Sequence, residues 1–242
     1  MSAPRIVRHG LVDSTSERAF AALAAGEARH RDVHVARAQS AGRGSRGRSW
    51  DSQDGAGLYA SVVLLPEPPA PPPAALTMAA GLAVRDLLLE LGLAARLKWP
   101  NDVLVGGAKI AGILIEARIQ EDRVFLMIGT GINVEPVKDD TRPNAITIRE
   151  ASTRPLTGTD DATLAFIEHL DEQLSHPLEH DAVLEQWRAL TIHRPGDRIH
   201  CVLGEKTVDG TWARIDEEGR AVLNTSEGPI VVSAGDLLLP ES

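Results

Sequence analysis

The sequence contains a single cysteine, Cys201. One cysteine excludes an intramolecular disulfide and a thiolate metal cluster built from this chain, and we interpret it as a small core residue. Long apolar runs are also missing, because glycine or charge interrupts each run before the ~20 residues that a membrane-spanning helix needs. Residues 1–5 lack the apolar core of a secretion signal. We therefore expect a soluble, cytoplasmic protein without a membrane partner.

Positive charge is in short supply as well, since the formal net charge is -9. A general nucleic-acid binder needs a basic surface that displaces phosphate counterions, so no DNA partner is expected. With 242 residues, of which 43% are hydrophobic, the chain can form one large domain and a small one. Arg37, Arg43, Arg46 and Arg48 nevertheless lie close together. This cluster predicts a local site for anions.

Helix and strand signals alternate along the first half of the chain. Ser14 to Glu17 has the form of a capping box, which predicts a helix beginning after Ser14 and ending near Gly26. Apolar residues spaced by three and four from Ala74 predict a second helix that ends at Gly92. The proline-rich residues 66–73 predict an exposed loop. Short apolar runs predict buried strands at residues 33–38, 58–65, 95–98, 110–117 and 124–129.

The second half first shows two further helical patterns. Their apolar positions are Leu164, Ile167, Leu170 and Leu174, then Val183, Leu184, Trp187 and Leu190. Beyond residue 191, short apolar runs separated by turn pairs at 209–210, 218–219 and 228–229 are typical of a small β-barrel or meander. We therefore predict a large domain at residues 1–190 and a small one at residues 191–242.

Glycines alternate with arginines in residues 39–50. Glycine lets backbone amides approach a phosphate closely, and guanidinium groups neutralise its charge. The pattern therefore predicts an anion-gripping loop, with a solvated flexible loop as the alternative.

A second polar segment, residues 98–102, follows a predicted strand and turns at Pro100. Asn101 has an amide for a base or a metal-bound phosphate. Asp102 has a carboxylate for a magnesium-bound water or for orienting a lysine. The alternative is an ordinary Asx turn.

Lys109 opens the next apolar strand, where an ammonium group needs an anion. Gly112 weakens that strand, which is explained if a ligand lies against the backbone there. The Gly-x-Gly of residues 129–131, followed by Asn133, adds a weaker signal that is often only a turn.

Taken in order, five motifs between residues 10 and 135 resemble those of biotin protein ligases. They are Ser14-Thr15 and the segments 39–50, 98–102, 109–116 and 129–133. The resemblance implies an α+β fold, with a mixed β-sheet and helices in a class II synthetase-like biotin/lipoate ligase core. It also implies a small SH3-like β-barrel at the C-terminus, which could clamp ATP or the carrier or merely stabilise the core.

The family's chemistry implies that biotin reacts with ATP, brought in with Mg²⁺, to give biotinyl-5'-AMP and pyrophosphate. A lysine of a biotin carboxyl carrier protein or domain then attacks the adenylate. The resemblance assigns catalytic roles to Lys109, between the two reacting anions, to Asp102, which would orient the acceptor amine, and to Arg43. No residue is assigned to metal binding, because Mg²⁺ would be held mainly through ATP.

Binding roles follow from the same resemblance. The residues expected to bind biotin are Ser14, Thr15, Gln39, Gly42, Arg43, Lys109 and Gly112. Those expected to bind ATP or the adenylate are Arg46, Arg48, Trp50, Asn101 and Asn133, although Trp50 could equally be a core residue. Ser45 departs from the family, which usually has an arginine there, and this predicts weaker retention of the adenylate.

Three other functions compete with this interpretation. Lipoate or octanoate protein ligases share the fold but resemble an arginine-led triple-glycine motif that is missing here. A biotin-responsive repressor needs a helix-turn-helix domain, for which the segment before Ser14 is too short. A non-catalytic biotin-binding protein would be expected to lose Lys109 or the loop arginines. A homodimer is compatible with the sequence.

Overall fold

A computed structural model describes residues 4–67, 70–120, 123–137, 142, 144–154, 158–175, 180–204 and 206–238. Its strands are β1 (Ile6–Val12), β2 (Val33–Gln39), β3 (Gly57–Leu64), β4 (Ala95–Lys98), β5 (Asp102–Val105), β6 (Ala108–Gln120), β7 (Arg123–Asn133), β8 (Arg198–Leu203), β9 (Lys206–Ile215), β10 (Ala221–Thr225), β11 (Gly228–Val232) and β12 (Asp236–Leu238). Its α-helices are α1 (Thr15–Ala24), α2 (Pro73–Glu90), α3 (Ile148–Ala151), α4 (Thr159–Ser175) and α5 (His180–Leu190).

The first seven strands form one mixed sheet in the order β1-β2-β3-β7-β6-β5-β4. β1 and β2 run parallel, and the other neighbours are antiparallel. Along β3, Val62 and Leu64 pack in the main core, whereas Val63 packs with Phe20 of α1. Because alternate residues of a strand face opposite sides, α1 covers one face of this sheet and the main core covers the other. The predicted α+β architecture is confirmed.

Helix α2 is the central element of the main core. It begins with Pro73 in the first turn, where the missing N–H of proline costs nothing. Most of the predicted apolar stripe is buried, but so are residues on the other sides of the helix, including Ala79 and Leu82. A helix that is buried on several sides must be covered by more than one element. Helix α2 packs against the sheet and against helices α4 and α5. The prediction of a single stripe was therefore too narrow.

Helix α1 begins where it was expected, but the predicted capping box at Ser14 is wrong. The Ser14 side chain makes no capping hydrogen bond. The Ser14 N–H, which the Glu17 side chain would accept in a capping box, donates to Asp13 Oδ1 at 2.7 Å. The Glu17 carboxylate pairs with Arg43 and Arg118. A capping box does occur at α3, where the Thr147 side chain and Glu150 satisfy each other's backbone N–H groups.

Several bounds differ from those that the sequence predicted. Strands β1 and β5 and the short helix α3 were not anticipated, and β6 and β7 are longer than expected. Leu164, which was assigned to the buried side of α4, is 47% exposed. The loop predicted at residues 66–73 lies partly outside the described residues.

The last five strands form an antiparallel sheet in the order β11-β10-β9-β8-β12. This agrees with the small β-rich unit that was predicted, and Cys201 is fully buried in it. The predicted turn at residues 209–210 is wrong, because both residues lie inside β9. A β-carbon on Gly210 would lie 2.7 Å from the Asn224 carbonyl oxygen, so this glycine allows a close strand approach.

The two sheets contact each other through the segment that joins them. Thr191 forms a parallel bridge with Leu97, and the Ile192 N–H donates to the Leu97 carbonyl at 2.9 Å. Trp99 Nε1 donates to the Gly219 carbonyl at 2.9 Å, on the turn between β9 and β10. These bonds fix the second sheet against β4. Within the described residues, no helix is both long and apolar enough to cross a membrane.

Candidate active site

A cavity of about 790 Å³ lies over the middle of the seven-stranded sheet. It brings together most of the residues that the sequence singled out. The predicted site residues among its lining are Ser14, Thr15, Gln39, Arg43, Arg48, Trp50, Asn101, Asp102, Lys109, Gly112 and Asn133. Gly42 and Arg46 do not line it.

Lys109 and Asp102 form an ion pair in the cavity wall. The Lys109 Nζ lies 2.6 Å from Asp102 Oδ1, and the side chains are 32% and 20% exposed. The strands explain the contact, since Asp102 begins β5 and Lys109 lies at the start of the neighbouring β6. The ammonium also lies 5.3 Å from the centre of the Trp50 ring, within the range of a cation–π interaction. The site thus has a cation held in a fixed position.

The Trp50 ring lies against two glycines that face each other across β6 and β7. Gly112 and Gly131 are register partners. A β-carbon on Gly131 would lie 2.3 Å from Trp50 Cε2, and one on Gly112 would lie 2.9 Å from Trp50 Cζ3. The indole Nε1 is buried and has no hydrogen-bond partner in the described part of the chain. Gly112 and Gly131 therefore make room for the Trp50 ring.

A group of small hydroxyls lies where α1 begins above β3. Thr15 Oγ1 lies 2.8 Å and Ser16 Oγ 3.0 Å from Ser61 Oγ. Gln39 accepts from the Thr15 backbone N–H and donates through Nε2 to Ser52 Oγ at 2.8 Å. Such neutral donors and acceptors suit an uncharged polar group. Ser16 and Ser61 were not predicted, because only the fold brings β3 under the start of α1.

Asn101 and Asn133 line the cavity, but their amides already bind the protein. Asn101 Nδ2 donates to the Ile113 carbonyl at 2.7 Å, which ties the turn before β5 to β6. Asn133 Nδ2 donates to the carbonyls of Lys109 and Ile146, at 3.3 Å and 3.2 Å. Asn133 Oδ1 accepts from Arg142 Nη1 at 2.7 Å. Both amides therefore hold the walls of the site in place.

Residues 39–50, in which glycines alternate with arginines, form a loop that we call the Gly/Arg loop. Arg43 is its first arginine, and the Arg43 guanidinium is paired with two carboxylates. Nη1 lies 2.8 Å from Glu17 Oε1, and Nη2 lies 3.0 Å from Glu116 Oε1. Glu17 also binds Arg118, at 2.8 Å. These contacts tether the start of the loop to α1 and β6, so Arg43 serves as an anchor in this arrangement.

The rest of the loop is held by other contacts. Arg46 donates through Nη1 to the Val202 carbonyl at 3.3 Å, which reaches the second sheet. Arg48 donates through Nη2 to Ser45 Oγ at 3.0 Å. Gly42 is confined, since a β-carbon there would lie 2.4 Å from the Trp50 carbonyl oxygen. Gly42 is thus needed for the loop to close, and it does not line the cavity.

Lys98 is a cavity residue to which the sequence gave no role. It lies in register with Asp102 across the β4–β5 hairpin. Burial lowers the pKa of its ammonium below the ordinary value, although Asp102 acts in the opposite direction. The sequence showed Lys98 as part of the 98–102 motif. The sequence did not predict the β4–β5 hairpin that places Lys98 beside the cavity.

Comparison with known proteins places this site in a family. The family model described as "Biotin/lipoate A/B protein ligase family" matches residues 10–133. The chain is 32% identical to the bifunctional ligase/repressor BirA of Bacillus spizizenii, covering 97% of this chain and 74% of that protein. It is 33% identical to the biotin--[acetyl-CoA-carboxylase] ligase of Mycobacterium tuberculosis, covering 85% and 78%.

Solved structures show the same similarity. The biotin protein ligase of Aquifex aeolicus in complex with biotin and ATP superposes with a TM-score of 0.80 at 28% identity, covering 98% of this chain and 99% of that one. The biotin protein ligase of Leishmania major in complex with biotinyl-5-AMP superposes with a TM-score of 0.66 at 26% identity, covering 96% and 100%.

Proposed function

This chain belongs to the biotin/lipoate A/B protein ligase family, and on that premise we propose that it is an ATP-dependent biotin protein ligase. It activates biotin as biotinyl-5'-AMP and transfers the biotinyl group to a lysine of a biotin carboxyl carrier protein or domain. The proposal follows from the biotin ligases among its relatives and from the cavity beneath the Gly/Arg loop.

The observation that carries the proposal is the Lys109 ammonium, fixed by Asp102 at 2.6 Å in the cavity wall. In the first step, a carboxylate oxygen of biotin attacks the α-phosphorus of ATP, and the bond to the β-phosphate oxygen breaks. Two anions must approach each other in this step. A cation that is already in position lowers the barrier, because it needs no reorganisation when negative charge accumulates.

The two ends of the cavity suit the two substrates. The hydroxyls of Thr15, Ser16 and Ser61, together with Gln39, provide neutral hydrogen-bonding groups for the ureido head of biotin. The Trp50 ring lies in the cavity wall beside Lys109. We assign the nucleotide to the side of Trp50 and Arg48. The biotin tail then lies between the two ends, with its carboxylate near Lys109.

Magnesium would enter as the counter-ion of ATP. Within the described residues, no group of three or more His, Cys, Asp or Glu side chains is arranged to hold a metal ion. Of the acidic residues lining the cavity, Asp102 is engaged with Lys109, and Asp51 is exposed. These residues fit an ion whose ligands come mainly from the phosphates and water, and the ion would offset phosphate charge.

The second step needs an uncharged acceptor amine. A lysine is mostly protonated at neutral pH, so it must lose a proton to solvent before its nitrogen attacks the adenylate carbonyl and AMP leaves. We propose that Asp102, which also pairs with Lys109, orients that amine. One carboxylate therefore serves both steps, the first by fixing the cation and the second by receiving the incoming ammonium.

The test combines purified protein with biotin, magnesium ATP and a biotin carboxyl carrier domain. Pyrophosphate release and mass gain on the carrier are followed together, with Lys109→Met as the inactive variant. Lys206→Met removes an exposed charge elsewhere and serves as the matched control. We expect both signals for the natural chain and for Lys206→Met. Neither signal with biotin, but both with lipoate or octanoate, would refute the proposal in favour of a lipoate ligase.

Three finer points belong to the same proposal. We place the boundary between a catalytic domain and a small C-terminal domain near residue 191, where the chain leaves α5 and enters the second sheet. We also propose a cytoplasmic location, where carboxylases and ATP are found. A homodimer remains a prediction that sedimentation of the purified chain would test.

A further inference from the structure

Four charged side chains beside the cavity tie the Gly/Arg loop to the main sheet. Arg43 Nη1 lies 2.8 Å from Glu17 Oε1, and Arg43 Nη2 lies 3.0 Å from Glu116 Oε1. Glu17 also pairs with Arg118, at 2.8 Å. Glu17 belongs to α1, whereas Glu116 and Arg118 belong to β6. We call these four residues the Arg43 cluster, and through it the loop is fastened both to a helix and to a strand.

The two glutamates lie outside the cavity, but the loop that they hold forms part of the cavity wall. Neither Glu17 nor Glu116 lines the cavity, whereas most of the loop residues from 43 to 50 do. A molecule bound in the cavity is therefore enclosed on this side by the loop. Contacts that keep the loop in place affect how fast such a molecule leaves, although they do not touch it.

The Arg43 cluster is itself held in place by the protein core. The Arg118 guanidinium lies 3.7 Å from the centre of the Phe20 ring, and Phe20 is buried beneath α1. Burial acts to raise the pKa of Glu17, but the hydrogen bond to Arg118 and the charges of Arg118 and Arg43 outweigh it and lower the pKa below its ordinary value. Glu17 is therefore ionised at neutral pH and offers Arg43 a fixed carboxylate.

The composition of the cluster suits its position beside a site for anionic substrates. Unpaired carboxylates at this rim would repel such substrates. The cluster instead combines two arginines with two glutamates, so its formal charges cancel. It can therefore fasten the loop without adding net charge to the rim of the cavity.

We propose that Glu17 and Glu116 are positioning residues that act through Arg43. They fix the Gly/Arg loop across the cavity and thereby slow the escape of the biotinyl-5'-AMP that forms inside it. The inference rests on the proposed function and makes it more specific, because it assigns retention of the intermediate to two side chains that do not contact it.

The experiment compares Glu17→Gln, Glu116→Gln and the double variant with Glu135→Gln. Glu135 is a matched control, because it pairs with Arg149 at 2.7 Å and its side chain is 31% exposed, close to the 35% of Glu17. Glu135 does not line the cavity. Each protein is loaded with labelled biotin and magnesium ATP and passed through a desalting column. Loss of labelled biotinyl-5'-AMP is then followed at low and at high NaCl.

We expect each single variant to release the adenylate about two- to fivefold faster, the range for one partly exposed ion pair. The adenylation rate at saturating substrates should change by less than about twofold, because neither glutamate touches the reacting groups. Release from the natural chain should also accelerate with NaCl, which screens partly exposed ion pairs, and the double variant should have lost most of this salt dependence. Unchanged release, or equal losses in release and adenylation, would overturn the proposal.

A second comparison shows whether the glutamates act through Arg43. Arg43→Gln alone should accelerate release, and adding Glu17→Gln and Glu116→Gln to it should accelerate release no further, because residues in one network are not additive. A further acceleration in the triple variant would show that the glutamates act by another route.

Trypsin cleavage after the arginines of the loop reports loop opening even in a chain that is not a ligase. We expect faster cleavage in Glu17→Gln and Glu116→Gln than in Glu135→Gln, with cleavage outside the loop unchanged. Faster loop cleavage in a chain that neither releases pyrophosphate nor labels the carrier would sink the proposed function and still support the positioning role. Equal loop cleavage in all variants would refute that role.

Discussion

Removing the charge of Asp102 tests whether its ion pair with Lys109 contributes to catalysis. Asp102→Asn keeps the size of the side chain and removes its charge. The Lys109 Nζ then loses the partner that lies 2.6 Å away. We expect the ammonium to leave the position in which it can stabilise two approaching anions, so that adenylation slows although Lys109 itself is unchanged.

The magnitude follows from the type of contact. Both side chains are at most about a third exposed, so solvent screens the pair less than it screens a surface ion pair. Residues in direct contact typically couple by about 0.5–3 kcal/mol, which corresponds to about a 2- to 100-fold loss of adenylation rate. Transfer from preformed adenylate should slow as well, since Asp102 orients the acceptor amine.

A double-mutant cycle measures the coupling. The adenylation rates of the natural chain, Asp102→Asn, Lys109→Met and the double variant give the interaction free energy between the two residues. We expect a coupling of about 0.5–3 kcal/mol, the range for residues in contact. Additive effects would show that the close contact has no catalytic role. Normal transfer of preformed adenylate by Asp102→Asn would refute the orienting role of Asp102.

Three further predictions concern other parts of the molecule. Ser45→Arg should slow the release of biotinyl-5'-AMP into solution, and an unchanged release rate would contradict our interpretation of Ser45. Gly131→Ala should displace Trp50 at a cost of about 1–3 kcal/mol, weakening ligand binding in calorimetry, whereas Gly10→Ala, which has open space around it, should not. Burial lowers the pKa of His34 and of His193 to about 4, so the unfolded state takes up protons first as the pH falls. The free energy of unfolding should therefore decrease between pH 6.5 and 4, by about 3 kcal/mol per imidazole, and equal urea midpoints at pH 7 and 5 would contradict it.

The sequence predicted the elements whose signal is local. The apolar spacing in α2 and the β-branched runs in β3 and β6 report burial directly, because side-chain periodicity follows the geometry of the element. The cap at Ser14 failed for the opposite reason. Arg43 and Arg118, far away in the sequence, pair with the Glu17 carboxylate that was expected to accept the Ser14 N–H. Competition from a long-range partner cannot be read from a short motif.

The site likewise contains residues that a local sequence pattern identifies and contacts that only the fold determines. Glycine and charge patterns identified Lys109, Asp102 and Trp50, and the fold gathers them in one cavity. The pairing of Arg43 with Glu17 and Glu116 joins the loop to α1 and β6. Nothing in the local sequence indicates this contact, because it depends on how the loop crosses the sheet. The sequence motifs predicted that the site contains several cations. Only the fold shows which of these cations are paired with carboxylates.

That distribution of charge explains how an acidic chain can form a site for polyanions. Cations placed close together repel one another, and collecting them in a cavity costs folding free energy. Here Asp102 offsets Lys109, and two glutamates offset Arg43. These pairs fix two cations in place, while Lys98 forms no ion pair with the described residues and keeps a charge that a phosphate can satisfy. The net charge of -9 and a cationic cavity are therefore compatible. Carboxylates reduce the repulsion among the cations of the site, and the cavity can still bind an anionic substrate.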